Sequence, residues 1–360
     1  MWHPAAMAAL EPTDGPLTFE ELQLAFRNRG MPLEALRYDI TPTGLHYLLT
    51  HFDIPAVDPA SWTLEVRGRV DRPLTLTLAA LRRRPRASAV VTLECAGNGR
   101  ARLEPRPLSQ PWLLEAIGTA EWAGTPLAPI LAEAGIAPGA IELVFTGLDR
   151  GIQGGVEQDY QRSLSIADAT APEVLLAWEM NGRPLEPQHG APVRLVVPGW
   201  YGMTHVKWLS SIEAVDRPFA GYQQADAYRY TTGPDEAGEP VDRIRVRALL
   251  VPPGIPDFFT RRRSLAVGPV TISGRAWSGY GPIERVELGV DDTWTEAVLG
   301  PSAGPFAWRA WSAEWHAAPG EHVLSCRATD ATGAVQPLEQ PWTYQGMGNN
   351  LVQRVGVTVT

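Results

Sequence analysis

Cysteine is almost absent: Cys95 and Cys326 are the only two in 360 residues and lie far apart. No disulfide framework and no paired-thiol redox motif can organise such a chain, and in a reducing compartment both thiols stay free. Also missing are a GxGxxG turn, a GxxxxGK[ST] loop, an HExxH helix and a CxxCH motif. Dinucleotide folds, P-loop chemistry, zinc proteolysis and covalent c-type haem are therefore unsupported. Glycoside hydrolysis needs only two carboxylates, which cannot be picked out of 40 acidic residues. Uninterrupted apolar runs are a few residues long, against the roughly 20 that span a bilayer, so no membrane association is expected. Basic residues are not in excess: the net charge of −9 speaks against a nucleic-acid surface but leaves room for a local basic pocket holding a small anion. The first residues, MWHPAAMAALEPTDGP, lack a basic n-region followed by an apolar h-region. The expected compartment is cytoplasmic, or periplasmic if this sequence is already processed.

What is present is a soluble, globular composition, with 44% hydrophobic and 20% charged residues, in a chain long enough for two cores. Up to about residue 240, strand-like runs (WTLEVRGRV, ASAVVTLEC, AIELVFTGL, PVRLVVPG) alternate with helical windows (TFEELQLAFRN, TPLAPILAEAG). That mixture predicts an α+β domain. Beyond it come VTISGRAWSG, IERVELGVDD, FAWRAWSAEW, GEHVLSCRATD and LVQRVGVTV, strands at short spacing with no helix between them. They predict an all-β sandwich of immunoglobulin type. Cys326 and the tryptophans at 277, 294, 308, 311 and 315 suit sandwich core and interface positions. The arginine runs at 82–86 and 261–263 read as solvated charge.

Chemistry concentrates in VTLECAGNGR, residues 91–100. Cys95 ends an apolar run, and Ala96, Gly97, Asn98 and Gly99 form a turn whose backbone can approach a ligand closely. A thiolate there has three uses: nucleophile, redox centre or metal ligand. No histidine carries a protease signature and no second thiol is near in sequence, which leaves a single soft ligand or an inert buried cysteine.

The segments together resemble the sulfite oxidase family of molybdenum-pterin oxidoreductases. TLECAGNGR is similar to its cysteine loop, TPTGLHYLLTHFDIP at 41–55 to an early cofactor-lining segment, and VLLAWEMNGRPLEPQHGAPVRLVVPGWYGMTHVKWL at 174–209 to its most specific block. The resemblance implies an N-terminal arm (1–40), a catalytic domain binding molybdenum-molybdopterin (41–240), a linker (241–263) and a dimerisation domain (264–360); as a departure from the family, no haem module is expected. It implies Cys95 as the protein ligand to molybdenum, and His51, Asn98, His189, Arg194, His205 and Lys207 as cofactor-binding residues. Arg100 and Arg354 would hold a small oxyanion, with Trp112 walling the same pocket. Tyr228 would stand near the metal, with Tyr230 as the alternative. Where sulfite-oxidising members and their nitrate-reducing relatives carry an arginine, this chain has Leu49. The expected reaction is oxidation of sulfite to sulfate, with electrons leaving to a separate acceptor. The alternatives are reduction of a small S- or N-oxide and a non-catalytic protein of this fold. A homodimer is expected.

Overall fold

The structure is a computed structural model that describes residues 13–360. Both helical windows are helices with identifiable ends. Phe19–Arg27 starts with a capping box between Thr18 and Glu21, and Ala128–Ala134 stops at Gly135, whose φ of 69° few other residues tolerate. The first helix buries Glu21, which pairs with Arg106, and leaves Phe19 and Phe26 exposed.

Two sheets build the first unit. One runs Leu74–Thr77, Thr63–Gly68, Leu209–Val215, Glu142–Gln153, Val156–Ser165; only the Thr63–Gly68 and Leu209–Val215 pair is parallel. The other runs Ala87–Glu94, Ile117–Pro126, Leu175–Met180, Arg183–Pro184, with Arg194–Val196 also pairing to Leu175–Met180. A core of Leu64, Leu143, Phe145, Leu176, Val193 and Ile212 joins the first sheet to elements of the second. A separate cluster holding Tyr47, Val91, Leu93, Cys95, Trp112 and Trp122 sits over the second sheet. Burying these aliphatic side chains contributes about 1.5–3 kcal/mol each. Among the described residues no helix is long and apolar enough to cross a membrane.

The expected all-β unit is a sandwich of two sheets. One contains Arg247–Leu250, Gly268–Trp277, Arg309–Ala317 and Val298–Ser302. The other contains Ile255–Pro256, Arg263–Leu265, Gln353–Val359, Gly320–Asp330, Ile283–Val290 and Thr293–Glu296. Cys326 and Trp311 lie in the core between them, as expected. Trp277 and Trp308 instead pack where the two units meet.

One expected boundary is corrected. Residues 241–263 are not a linker, because Arg247–Leu250 pairs antiparallel with Gly268–Trp277, and Ile255–Pro256 and Arg263–Leu265 form the edge of the other sheet. All four residues of Arg247–Leu250 are buried, so the strand lacks the alternation that would have marked it. Residues 13–40 of the expected arm are packed down: Met31, Ala35 and Leu36 are buried in one cluster with Ala96, Tyr228, Trp277 and Met347. Residues 1–12 of that expected arm lie outside the described residues. Of the two arginine runs, Arg84 and Arg86 form ion pairs with Glu133 and Glu179, whereas Arg263 is buried and caps the carbonyls of Pro252 and Pro253.

Candidate active site

Strand Ala87–Glu94 carries its last four residues fully buried and delivers Cys95 to a tight turn. Within it the Asn98 N–H donates to the Cys95 carbonyl at 2.9 Å and the Arg100 N–H to that of Gly97 at 3.0 Å. Gly99 has φ 92°, and a Cβ there would come within 2.9 Å of Asn349 Nδ2, so the turn needs glycine both for conformation and to admit the second unit. The Cys95 sulfur faces a cleft lined also by His46, Tyr47, Leu49, His51, Asp149, Tyr160, Gln188, His189, Arg194, His205, Lys207 and Tyr228. Burial pushes the thiol above its usual range against the pull of Arg100, the Gly97 N–H and the Trp112 indole. A thiol held protonated is a poor free nucleophile; a bound metal would ionise it.

One end of the cleft is cationic and incompletely bonded. Arg194 donates to the carbonyls of His189 and His205, both at 3.1 Å, lies over the Trp122 ring, and leaves Nε without a partner. Lys207 donates to the carbonyls of Leu49 at 2.9 Å and Gln188 at 3.2 Å. Burial and then Arg194 push its ammonium down to about 7. Asp149 is pushed up to about 6 by burial, and its Oδ1 has no partner. The ring Nε2 atoms of His46 and His189 are likewise buried and unpaired. Such orphaned groups are rare in folded proteins and mark a place where a polar ligand completes the bonding. Two cations suit a phosphate, and an acceptor carboxylate with imidazole edges suits the amino and ring nitrogens of a pterin. The residues present therefore fit molybdopterin, with Cys95 as the one soft protein donor for its metal.

The other side of the cleft is phenolic. Tyr228 Oη lies 2.7 Å from His51 Nε2. Burial, then Lys207 and Arg27, keep His51 neutral, with its pKa lowered to about 3. Burial pushes the Tyr228 phenol far up, opposed by Arg100 and Arg162. Tyr160 donates to the Met203 carbonyl at 2.7 Å. Tyr230 does not line the cleft; its ring stacks under Arg245 instead.

Seven of the sequence-predicted residues thus meet in one cleft: Cys95, His51, His189, Arg194, His205, Lys207 and Tyr228. Of these, His205 spends both ring nitrogens on the protein, accepting from the Val197 N–H and pairing with the Trp200 carbonyl, so it shapes the loop. Arg100 is buried just behind the sulfur and donates to the carbonyls of Gln345 and Gln110 and to the Met347 thioether. Trp112 packs in the same cluster as Cys95, and its ring nitrogen has no partner of hydrogen-bonding length.

Four expected site residues do not line the cleft: Arg100 and Trp112, which lie behind it, and Asn98 and Arg354. Asn98 bonds Glu94 Oε1 and the Ala116 N–H, bracing the turn. Arg354 is exposed on strand Gln353–Val359 and reaches only the Leu338 carbonyl, because neighbouring Gln353 takes the inward position and bonds the Leu250 N–H. Residues the sequence reading did not single out are His46, Tyr47, Asp149, Tyr160 and Arg162. His46 and Tyr47 stand inside the segment at 41–55, where their type was the available signal; the others sit in strands with no motif around them.

Comparison with known proteins shows the family. Residues 51–223 fit the oxidoreductase molybdopterin binding domain and residues 245–360 the Mo-co oxidoreductase dimerisation domain. The class is therefore that of molybdenum-pterin oxidoreductases with a C-terminal dimerisation unit. Mitochondrial sulfite oxidase of Mus musculus is 36% identical over 349 residues, covering 89% of this chain and 62% of that protein. Sulfite oxidase of Gallus gallus is 36% identical over 330 residues, covering 86% and 71%. The chain belongs to the sulfite oxidase family of molybdenum-pterin oxidoreductases, and it spans 62% of the length of the mitochondrial relative from mouse. A nitrate reductase of Solanum lycopersicum is 29% identical, covering 92% of this chain and 40% of that protein. Among solved structures, the sulfane dehydrogenase SoxCD from Paracoccus pantotrophus superposes with a TM-score of 0.81 at 27% identity, covering 99% of this chain and 93% of that chain.

Proposed function

We propose that the chain oxidises sulfite to sulfate and passes two electrons to a separate acceptor: sulfite and water become sulfate, two protons and two electrons. The observation that carries this reading is the buried Cys95 thiol at the edge of a cleft whose far wall holds unpaired Arg194, His189 and Asp149 atoms. Bound molybdenum-molybdopterin supplies the two-electron change and the transferred oxygen. Cys95 would ligate the metal, Arg194 and Lys207 would hold the phosphate, and His189, His46 and Asp149 the pterin edge. Arg100, close enough to act on both Cys95 and Tyr228, draws the anion toward the sulfur. Tyr228 stays a neutral phenol and, paired with neutral His51, passes a proton out of the cleft as water is consumed. The second unit joins two copies, a reading supported by its match to a dimerisation domain.

The test is direct. Protein from a host that makes the cofactor should hold near-stoichiometric molybdenum and reduce an artificial acceptor with sulfite. Cys95→Ser should keep the far-UV spectrum and lose turnover; retained activity would remove Cys95 as the ligand. A second reading is favoured by Leu49, which lines the cleft without a charge. On that reading the substrate is a less charged sulfur centre, a sulfane group or a small S- or N-oxide. Turnover of those compounds in the absence of sulfite activity would select it.

A further inference from the structure

Among the described residues six arginines are buried: Arg100, Arg162, Arg194, Arg247, Arg263 and Arg275. Three have a carboxylate within ion-pair distance, Arg247 with Glu94, Arg263 with Glu34 and Arg275 with Asp39. The other three are bonded to carbonyls or a thioether instead: Arg194 lines the cleft, and Arg100 and Arg162 lie behind its lining residues, close enough to act on Tyr228. A buried charge left without a counter-charge is costly, so it marks a site that an anion completes. Arg194 serves the cationic end and Arg100 stands behind the sulfur. Arg162 has no role so far.

Arg162 is 2% exposed and lies on the inner face of strand Val156–Ser165, two residues from the cleft-lining Tyr160. Its Nη1 donates to the Gln223 carbonyl, and its Nε has no partner. The guanidinium carbon lies 5.5 Å from the Tyr228 ring centroid. The charged or titratable groups acting on it are the phenols Tyr160 and Tyr228 and a further cation, Arg229. The cation thus backs the phenolic wall of the cleft.

We propose that Arg162 is a specificity-determining positioning residue: from behind Tyr228 it supplies, together with Arg100, the positive field that holds the substrate oxyanion. This rests on the sulfite reading above. Arg162 does not touch the anion; it attracts the anion across the Tyr228 ring and leaves the phenol held by its bond to His51.

The experiment compares molybdenum-loaded wild type with R162Q and R162K, reading kcat and KM for sulfite and, by calorimetry on the resting enzyme, the Kd for sulfate. R162Q is expected to raise KM and the sulfate Kd at least tenfold with kcat within threefold, and R162K to restore both constants to within threefold of wild type. A merely structural arginine would lower stability or kcat without separating the two anion constants from kcat. Should R162Q fail to fold, folded R162K carries the test, and a tenfold loss of sulfate affinity there overturns the proposal. R162Q matching wild type, in an enzyme that oxidises sulfite, overturns the role of Arg162 alone. A wild type that neither oxidises sulfite nor binds sulfate overturns the sulfite reading and this proposal together.

Discussion

Removing Arg247 should unfasten the cysteine turn from the second unit. Arg247 and Glu94 are each 1% exposed, and Nη1 stands 3.0 Å from Oε1, off the line of a good hydrogen bond, so charge holds the pair. Glu94 also accepts from Trp277 Nε1 at 2.8 Å and Asn98 Nδ2 at 3.0 Å, and Arg247 donates to the Asn98 carbonyl at 3.3 Å. Arg247 and Trp277 belong to the sandwich, while Glu94 and Asn98 flank Cys95. At this separation, with an effective dielectric of ~20, the Coulomb attraction is about 5 kcal/mol before desolvation is counted. Arg247→Met deletes the partner and leaves a buried carboxylate, a loss of about 3–5 kcal/mol by the general behaviour of broken buried pairs.

The assay is urea unfolding followed by tryptophan fluorescence, with molybdenum content measured on the same samples. R247M should unfold at clearly lower urea and retain less metal, because the turn carrying Cys95 loses its brace. The E94Q/R247M double variant removes both charges and should recover about 2 kcal/mol or more relative to the sum of the single losses. A loss below about 1 kcal/mol for R247M, or strict additivity in the cycle, would refute the reasoning.

Three further outcomes follow. His46, His51, His189 and His205 are held by burial at about 4, 3, 3 and 3, below their ordinary value. Their neutral native forms contribute stability that is complete above the unfolded value of about 6.5 and is lost, at about 1.4 kcal/mol per group per pH unit, as pH falls toward the native values. Asp149, raised to about 6, acts in the opposite sense over part of that range, so the net loss is nearer three groups' worth. The melting temperature of cofactor-free protein should therefore drop steeply from pH 7 to 5; a flat profile would contradict buried neutral imidazoles. Lys207, lowered to about 7, should take up a proton when a phosphate binds above that pH, so uptake of extracted cofactor should weaken from pH 7 to 9. Lys207→Met should abolish this pH dependence. Leu49→Arg places a cation beside a dianion, an interaction of about 2–4 kcal/mol; sulfite KM should fall at least tenfold, and an unchanged KM would mean that residue 49 does not face the substrate.

The block at 174–209 was legible because its residues need few partners from elsewhere. His189, Arg194, His205 and Lys207 lie on successive short turns and strands, and the chain places them on one wall by itself. Cys95 was legible for the same reason, since its turn is closed by bonds between neighbours. The linker expected at 241–263 was not, because a strand buried on both faces between prolines and arginines shows no period of two. Asp149 and Arg162 were hidden by context. Asp149 sits between exposed neighbours and Arg162 in a buried stretch of strand, and the partners that define each come from segments far along the chain, Gln223 for Arg162 and Lys207 for Asp149.

Arg354 shows how a matching position can mislead about a side chain. In NNLVQRV the buried pair Val352 and Gln353 breaks the in-out alternation just before the arginine, and Gln353 is drawn inward by the Leu250 N–H and Arg354 turned out. A position in a strand fixes a neighbourhood, but phase decides which side of the sheet receives the charge. The electrostatic requirement of an oxyanion pocket is indifferent to which segment meets it. The sequence led one to expect Arg100 and Arg354 to hold a small oxyanion; the two buried guanidinium groups that act on Tyr228 are Arg100 and, from strand Val156–Ser165, Arg162. The second unit contributes in another way, through Arg247 and Trp277, which fix the carboxylate next to the thiol. Its hold on the site runs through that ion pair and that hydrogen bond, which meet at the residue next to Cys95.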